Sequence, residues 1–241
     1  MNRLPKIAII GYGKMGHEIE KAALAKGYQV VCIVDQEKDW SRFPGQAEVA
    51  VEFSVPEAAF GNIRRCFEAN IPVVCGTTGW YKNLNQAETL CIAKGQTLFY
   101  APNFSLGMNI FFEVNRYLAS LISSFEGYKP SISETHHTQK LDSPSGTAIH
   151  LANQLIEQHI GFTGWKLRSE DAPRESSIPI EALRIEGVPG THVVHWTGQN
   201  DSLEIMHKAH SRSGFAQGAL LAATWVWQKK GVFTMKDLLN L

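Results

Sequence analysis

The chain has 241 residues, a length that suits two small domains. Its 23 basic and 23 acidic residues cancel, which argues against a general nucleic-acid binder or a membrane-surface binder. The sequence has no apolar run of the roughly 20 residues that cross a bilayer. The four cysteines have apolar neighbours typical of reduced core thiols. We therefore expect a cytoplasmic protein with neither nucleic acid nor membrane as a partner.

The N-terminal part of the chain alternates between short apolar strands and amphipathic helices. This alternation predicts parallel strands joined by right-handed helical crossovers, as in a Rossmann-type α/β domain. Strands are predicted at residues 6–10, 30–34, 49–53, 71–75 and 98–101, with helices at 15–26 and 56–69 and around 84–91.

The pattern changes after about residue 105. A long amphipathic helix is predicted at 106–125, followed by a strand at 131–136 and a helix at 144–158; residues 165–179 look irregular and polar. Turn residues separate three further strands, and a last helix is expected at 215–228. These three strands, at 180–186, 191–197 and 202–209, are expected to form an antiparallel meander. The second domain is therefore predicted to be α+β, with an antiparallel or mixed sheet.

A glycine-rich turn follows the first predicted strand and opens the first helix. It reads Gly11-Tyr12-Gly13-Lys14-Met15-Gly16, and Asp35 ends the next strand. In a dinucleotide site, Gly11 permits the turn, Gly13 lets the backbone approach a pyrophosphate, and Gly16 lets helix and strand pack closely. The helix N-terminus favours phosphate, and a carboxylate such as Asp35 accepts hydrogen bonds from ribose hydroxyls. A glycine turn without a ligand is the structural alternative.

The same acid bears on the choice of cofactor. Asp35 repels a 2′-phosphate, and Gln36 stands where a basic residue would stabilise one, so NADH is favoured over NADPH. Lys14 and Lys38 remain available to a phosphate.

Histidine, lysine and small hydroxyl residues are concentrated between residues 134 and 148. The adjacent His136 and His137 lie at the end of a predicted strand, and Lys140 follows. The next helix begins with Ser145-Gly146-Thr147, whose N–H groups and hydroxyls suit a carboxylate. Together these groups predict a site for an acidic substrate whose reduction also needs a proton. Taken singly, the histidines and the lysine have ordinary surface explanations, and the hydroxyls are typical helix caps.

This segment resembles the E-x-H-H-x-x-K-x-D-x-P-S-G-T-A signature of the dihydrodipicolinate reductases. Matching segments along the chain are residues 76–79, 101–105, 184–187 and 190–192, and residues 211–212 followed by 215–216. The resemblance implies an NAD(P)H-dependent reductase of lysine biosynthesis, usually a homotetramer built through the sheet of its second domain. The C-terminal helix is expected to return to the first domain. The resulting domains are 1–104 with 214–241 for the dinucleotide, and 105–213 for substrate binding and oligomerisation.

The resemblance also implies roles for individual residues. His136 is the expected acid or electrostatic partner and Lys140 the expected proton donor. The small dicarboxylate substrate is expected to contact His137, Lys140, Ser145, Gly146 and Thr147. The cofactor is expected to contact the glycine turn and the later strand ends, namely Gly11, Gly13, Lys14, Met15, Gly16, Asp35, Phe53, Gly76, Thr77, Thr78, Ala101, Asn103 and Phe104. No metal ion is expected. The chain departs from the family in its short link at residues 36–48.

Two other functions are compatible with the glycine-rich turn. Another two-domain Rossmann dehydrogenase, acting on a semialdehyde or an amino acid, would not need the histidine pair together with Lys140 and the Ser-Gly-Thr helix start. A non-catalytic nucleotide sensor would keep the glycines and Asp35 but has no use for Lys140.

Overall fold

The computed structural model describes residues 3–158, 161–168 and 176–241. The chain forms two compact units. One comprises Met1–Leu106 and Arg212–Leu241, and the other comprises Gly107–Ser211. Each is described by itself below.

Eleven strands and seven α-helices are found along the described residues of both units. They are, along the whole chain, β1 (Ile7–Ile10), α1 (Lys14–Ala25), β2 (Val30–Val34), β3 (Val49–Glu52), α2 (Pro56–Glu68), β4 (Val73–Cys75), α3 (Leu84–Ala93), β5 (Thr97–Tyr100), α4 (Leu106–Ile122), β6 (Lys129–His136), α5 (Gly146–Gln158), β7 (Gly164–Leu167), β8 (Ser177–Arg184), β9 (Gly190–Thr197), β10 (Ser202–Ala209), α6 (Ser213–Val226), β11 (Gly231–Phe233) and α7 (Met235–Leu239). Short 3-10 helices lie at Glu37–Arg42 and Tyr81–Asn83.

The first unit contains a six-stranded sheet in the order β11-β5-β4-β3-β1-β2, with parallel pairings. The expected Rossmann-like parallel sheet is confirmed. Parallel strands place their carboxyl ends on one edge of the sheet, which is where ligands of such sheets bind. The turns after β1, β2, β3, β4 and β5 therefore begin along that edge.

Alternate residues of the buried strands face two different helical layers. On β1, Ile7 and Ile9 belong to a core cluster with α1 and α6, whereas Ala8 and Ile10 belong to a cluster with α2 and α3. A strand covered on both faces has no polar side, which explains the continuous apolar pattern of β1. On α6, Gly218 permits a close approach, because a Cβ there would lie 1.8 Å from the main-chain oxygen of Phe104.

The second unit contains a five-stranded mixed sheet in the order β10-β9-β6-β8-β7. Strand β9 pairs antiparallel with β10 and β6, but β8 pairs parallel with β6, and β7 parallel with β8. The expected meander of three neighbouring antiparallel strands is therefore wrong, while a mixed sheet is confirmed. The turn-rich residues 187–190 resemble a hairpin in the sequence, yet β6 lies between the two strands that they join.

The expected irregular region at 165–179 is also wrong in part. Strand β7 lies there and β8 begins at Ser177, whereas residues 169–175 lie outside the described part of the chain. Strand β7 has only four residues and is partly exposed at the sheet edge, so its pattern carries little periodicity. Strand β11, helix α7 and the 3-10 helix at Glu37–Arg42 are not predicted by the sequence pattern.

Helices α4 and α5 pack against one face of the mixed sheet. Their apolar residues, among them Phe111 and Leu151, form one core with even-numbered strand residues such as Ile132 and Val194. Because strand side chains alternate with a period of two, Glu134, His136 and His192 are expected on that helix-covered face. None of the helices in the described segments is long and apolar enough to cross a membrane.

Candidate active site

The glycine-rich turn after β1 has three glycines with different physical roles. Gly11 has a φ of +86°, and a Cβ there would lie 2.2 Å from the main-chain oxygen of Phe53. A Cβ at Gly16 would lie 2.4 Å from the main-chain oxygen of Gly11. A Cβ at Gly13 would meet no protein atom within 4 Å. Gly11 and Gly16 are therefore required by the fold, whereas Gly13 borders open space.

Asp35 lies beside this turn. The Tyr12 N–H donates to Asp35 Oδ1 at 3.0 Å, and the Gly11 N–H donates to the oxygen of Val34 at 2.8 Å. The exposed Lys14 begins α1, and Met15 packs against the core. A carboxylate, a helix N-terminus and an open glycine are thus held together at the carboxyl edge of the sheet.

Phe53 connects the turns that follow β1, β3 and β4. Its N–H donates to the oxygen of Ile10 at 2.8 Å, and its own oxygen closely approaches Gly11. On the other side, a Cβ at Gly76 would lie 2.1 Å from the Phe53 ring. Thr77 is buried and Thr78 is exposed. These turns therefore behave as one packed surface with a few exposed groups.

The segment after β5 adjoins the same surface. Ala101 and Phe104 are buried, and the rings of Phe104 and Phe53 lie 5.5 Å apart between centroids. Asn103 Oδ1 accepts a hydrogen bond from the Ser105 N–H at 2.8 Å. The structure thus brings the expected cofactor residues of the first unit to one edge of its sheet.

In the second unit, Glu134 lies at the centre of a buried polar cluster. Its side chain is fully buried, and Oε2 lies 3.1 Å from His136 Nδ1 and 3.7 Å from His192 Nε2. Oε1 accepts hydrogen bonds from the Ser145 N–H at 2.9 Å and from Arg184 Nη2 at 3.2 Å. A buried carboxylate of this kind needs such partners, because an unpaired buried charge is costly.

The pKa values of this cluster follow from burial and from its neighbours. Burial by itself raises the pKa of Glu134, but the interactions with His136 and Ser145 outweigh it and lower the pKa to about 2. For His192, burial and the nearby His136 lower the pKa to about 3. Glu134 is therefore ionised and His192 neutral at pH 7, and Ser145 Oγ lies 3.2 Å from His192 Nε2.

Arg184 donates hydrogen bonds to the main chain of the loop that carries Lys140. Its Nη2 donates to the main-chain oxygen of Asp142 at 2.6 Å, and its Nε donates to that of Lys140 at 3.4 Å. Lys140 Nζ lies 2.7 Å from the nearer carboxylate oxygen of Asp142. Burial opposes the ionisation of Asp142, but Lys140 outweighs it and lowers the pKa of that carboxyl. Glu134 and Arg184 therefore position the lysine loop relative to β6.

The start of α5 adjoins the same cluster. Ser145 is buried, and its hydroxyl accepts a hydrogen bond from the Ala148 N–H at 3.2 Å as a helix cap does. Gly146 is exposed and Thr147 half-buried. The half-buried His137 follows β6, and its main-chain oxygen accepts from the Lys140 N–H at 3.1 Å. Of the expected substrate residues, Ser145 contacts Glu134 directly, and Lys140 is linked to it through Arg184.

Three members of this cluster were not among the expected site residues. Glu134, Arg184 and His192 all lie in segments that match the family, but their mutual contacts join separate strands. A sequence feature does mark Glu134, because an acid two residues before His136 on a strand shares its face. Nothing local in the sequence indicates that Arg184 reaches Glu134.

Atoms of Glu134, His136 and His192 lie within 4.8 Å of one another, a spacing compatible with a metal ion. The Arg184 guanidinium lies 3.2 Å from the same carboxylate, and its positive charge disfavours a metal cation there. We therefore interpret the cluster as a hydrogen-bonded charge network.

Comparison with known proteins covers nearly the whole chain. The family model for the N-terminus of dihydrodipicolinate reductase matches residues 5–104, and the model for the C-terminus matches residues 107–239. The 4-hydroxy-tetrahydrodipicolinate reductase of Christiangramia forsetii is 47% identical over 237 residues, which cover 97% of each chain. That of Archaeoglobus fulgidus is 33% identical, covering 98% of this chain and all of the relative.

Solved structures agree on the fold. Dipicolinate-bound dihydrodipicolinate reductase from Paenisporosarcina sp. TG-14 superposes with a TM-score of 0.74 at 23% identity, covering 96% of this chain and 98% of that one. At this identity the likeness concerns the fold alone. Together with the two family models and the 47% identical relative, the matches show that the chain belongs to the dihydrodipicolinate reductase family.

Proposed function

We propose that this chain is a 4-hydroxy-tetrahydrodipicolinate reductase, an NAD(P)H-dependent oxidoreductase that forms tetrahydrodipicolinate in lysine (diaminopimelate) biosynthesis. The observation that carries the proposal is the Glu134–Arg184 contact, because it holds the Lys140 loop and the start of α5 around His136. Membership of the family and the names of its relatives support the same reaction. The alternative of a semialdehyde or amino-acid dehydrogenase leaves this arrangement without a use.

The first unit fits a nicotinamide dinucleotide. The open space at Gly13 and the N-terminus of α1 suit a pyrophosphate, and Asp35 suits the adenosine ribose. The nicotinamide end is proposed to be held by the turns after β4 and β5, namely by Gly76, Thr77, Thr78, Ala101, Asn103 and Phe104. When bound, the reduced cofactor supplies hydride to the substrate.

The second unit is proposed to bind the two carboxylates of the substrate and to deliver the proton. The first N–H groups of α5 at Gly146 and Thr147, with His137 and Lys140, provide positive potential for carboxylates. Lys140 Nζ, which is paired with Asp142, is the proposed proton donor. His136, held at Nδ1 by Glu134, presents its other ring nitrogen as the electrostatic partner.

A coupled assay tests this function. The product of the preceding aldol condensation is supplied, and oxidation of NADH and of NADPH is followed separately. We expect turnover that depends on the dicarboxylate and not on a semialdehyde or an amino acid. Failure to oxidise either cofactor with this substrate would overturn the proposal.

The same assay measures cofactor preference. Asp35 accepts from the Tyr12 N–H and leaves a negative charge where a 2′-phosphate would lie, so NADH is proposed to be used at least as well as NADPH. A tenfold or larger preference for NADPH in kcat/KM, which corresponds to about 1.4 kcal/mol, would contradict this.

We further propose a cytoplasmic homotetramer. The four cysteines are unpaired and buried, which suits a reducing compartment. Light scattering of the purified protein tests the assembly, and a mass of one chain at micromolar concentration would contradict it.

A further inference from the structure

A buried carboxyl group lies under the turns that are proposed to bind the nicotinamide end of the cofactor. Glu52 is the last residue of β3 and is 0% exposed. Its partners in register on the two neighbouring strands are Ile10 and Cys75. Burying a carboxyl at a position that an apolar residue fills on the next strand costs stability unless the group is fully hydrogen-bonded. Core packing by itself therefore does not explain why a carboxyl group occupies this position.

The donors to Glu52 come from both turns. Thr77 Oγ1 donates to Oε2 at 2.8 Å, and Cys75 Sγ donates to the same oxygen at 3.0 Å. Ser54 Oγ and Asn62 Nδ2 donate to Oε1, the latter at 3.2 Å. Within the described residues these donors are all neutral. Glu52 therefore orders hydroxyl, thiol and amide groups and does not form a salt bridge with them.

The thiol among these donors stays protonated. Burial, with Glu52 beside it, raises the pKa of Cys75 well above its ordinary value. The S–H is thus available as a donor across the physiological range.

The hydroxyl of Thr77 completes a link between the turns. It donates to Glu52 and accepts from the Ser54 N–H at 2.8 Å, while the Gly76 N–H donates to the main-chain oxygen of Glu52 at 2.8 Å. The turn after β3 and the turn after β4 are therefore joined through one buried carboxyl. Phe53, held between Gly11 and Gly76, extends this link to the glycine-rich turn.

We propose that Glu52 is a positioning residue for the nicotinamide end of the cofactor, because it sets the shape of the turns after β3 and β4. This rests on the proposed function. Because Glu52 is fully buried, it acts through Thr77 and Ser54. The exposed Thr78 and the main chain of residues 76–78 are the groups that it positions.

Glu52→Gln is the direct test. The side chain keeps its size, but an NH₂ replaces one oxygen and meets either the amide NH₂ of Asn62 or the thiol of Cys75, both of which donate to the carboxyl in the parent. We expect the NADH Kd, measured by calorimetry, to rise by about tenfold or more, as for the loss of a strong hydrogen bond. The KM for the dicarboxylate is expected to stay near that of the parent, because the proposed substrate residues belong to the other unit.

A second pair of variants keeps the test decisive if Glu52→Gln fails to fold. Thr77→Val removes the hydroxyl at constant shape and should raise the NADH Kd in the same way, whereas Thr77→Ser keeps the hydroxyl and should restore most of the affinity. In a double-mutant cycle, Glu52→Gln and Thr77→Val should be clearly less than additive, because they break one contact.

Thr97→Val is the matched control. Thr97 is fully buried at the other end of the same sheet, and its hydroxyl donates to the main-chain oxygen of Lys229. The Thr97→Val substitution should lower the melting temperature without changing the NADH Kd. If the folded Glu52→Gln and Thr77→Val variants bind NADH within twofold of the parent, the positioning role is wrong while the proposed function stands. A parent chain that binds neither NADH nor NADPH overturns both.

Discussion

Arg184 Nη2 donates to Glu134 Oε1 at 3.2 Å and to the main-chain oxygen of Asp142 at 2.6 Å. One guanidinium thus joins the last residue of β8 to the carboxylate of β6 and to the loop that carries Lys140. The planar fork of arginine suits this task, because several N–H groups donate in fixed directions. The same carboxylate lies 3.1 Å from His136 Nδ1. Glu134 and Arg184 therefore determine the shape of the proposed proton-transfer site.

Replacement of Glu134 should damage catalysis more than cofactor binding. Glu134→Gln removes the charge that faces His136 and Arg184, and we expect kcat to fall by about ten- to a hundredfold, since a buried ion pair broken on one side leaves its partner uncompensated. The NADH Kd should not change. Glu181→Gln, on the same sheet but half-exposed, is the control and should keep parental kinetics. Parental kcat in Glu134→Gln would exclude the positioning role.

Lys140 is the proposed proton donor, and its removal should slow the chemical step without weakening cofactor binding. We expect Lys140→Ala to lower kcat by at least about a hundredfold, the lower end for the loss of a general acid. NADH binding, measured by fluorescence, should remain near that of the parent. Lys129→Ala removes an exposed lysine at the start of β6 and should be nearly silent. Activity that survives Lys140→Ala would assign the proton to another group.

The glycine turn allows folding and binding to be separated. At Gly13 the backbone has a φ of −81°, and an added Cβ meets no protein atom within 4 Å, so Gly13→Val should fold. The added side chain fills the space proposed for the pyrophosphate, and NADH binding should be lost. Gly16→Ala should instead destabilise the protein, because its Cβ would lie 2.4 Å from the oxygen of Gly11. Unchanged NADH affinity in Gly13→Val by calorimetry would count against the assigned site.

Acid should destabilise the protein through His192. Its pKa is lowered to about 3 from an ordinary value of 6.5, so between these values the unfolded state binds a proton that the folded state excludes. Stability is therefore lost as the pH falls. From pH 7 to pH 5 the loss from this group is about 2 kcal/mol. Glu134, with a pKa lowered to about 2, adds a loss of the same sign below about pH 4.5.

Urea unfolding of the parent and of His192→Gln at both pH values checks this. The variant, which has no titrating group there, should lose about 2 kcal/mol less between pH 7 and pH 5. An equal pH dependence in His192→Gln would show that another group titrates.

Local patterns were sufficient for much of the first unit. The run of apolar residues at Ile7–Ile10, the glycines of the turn and Asp35 are close in sequence or related by a known spacing, and each was found where expected. Strand β11 was missed because three residues carry no periodicity, and only pairing with β5 makes them a strand.

The sequence by itself determined the family, the parallel sheet and the position of the histidine and lysine residues along the chain, because these depend on neighbouring residues and on short motifs. Only the tertiary structure decided which strands are neighbours. Strand order is set by long-range pairing and by the burial of whole faces, which local turn chemistry does not encode. The parallel pairing of β8 with β6 brings Arg184 to Glu134, and the antiparallel pairing of β9 with β6 brings His192 beside His136.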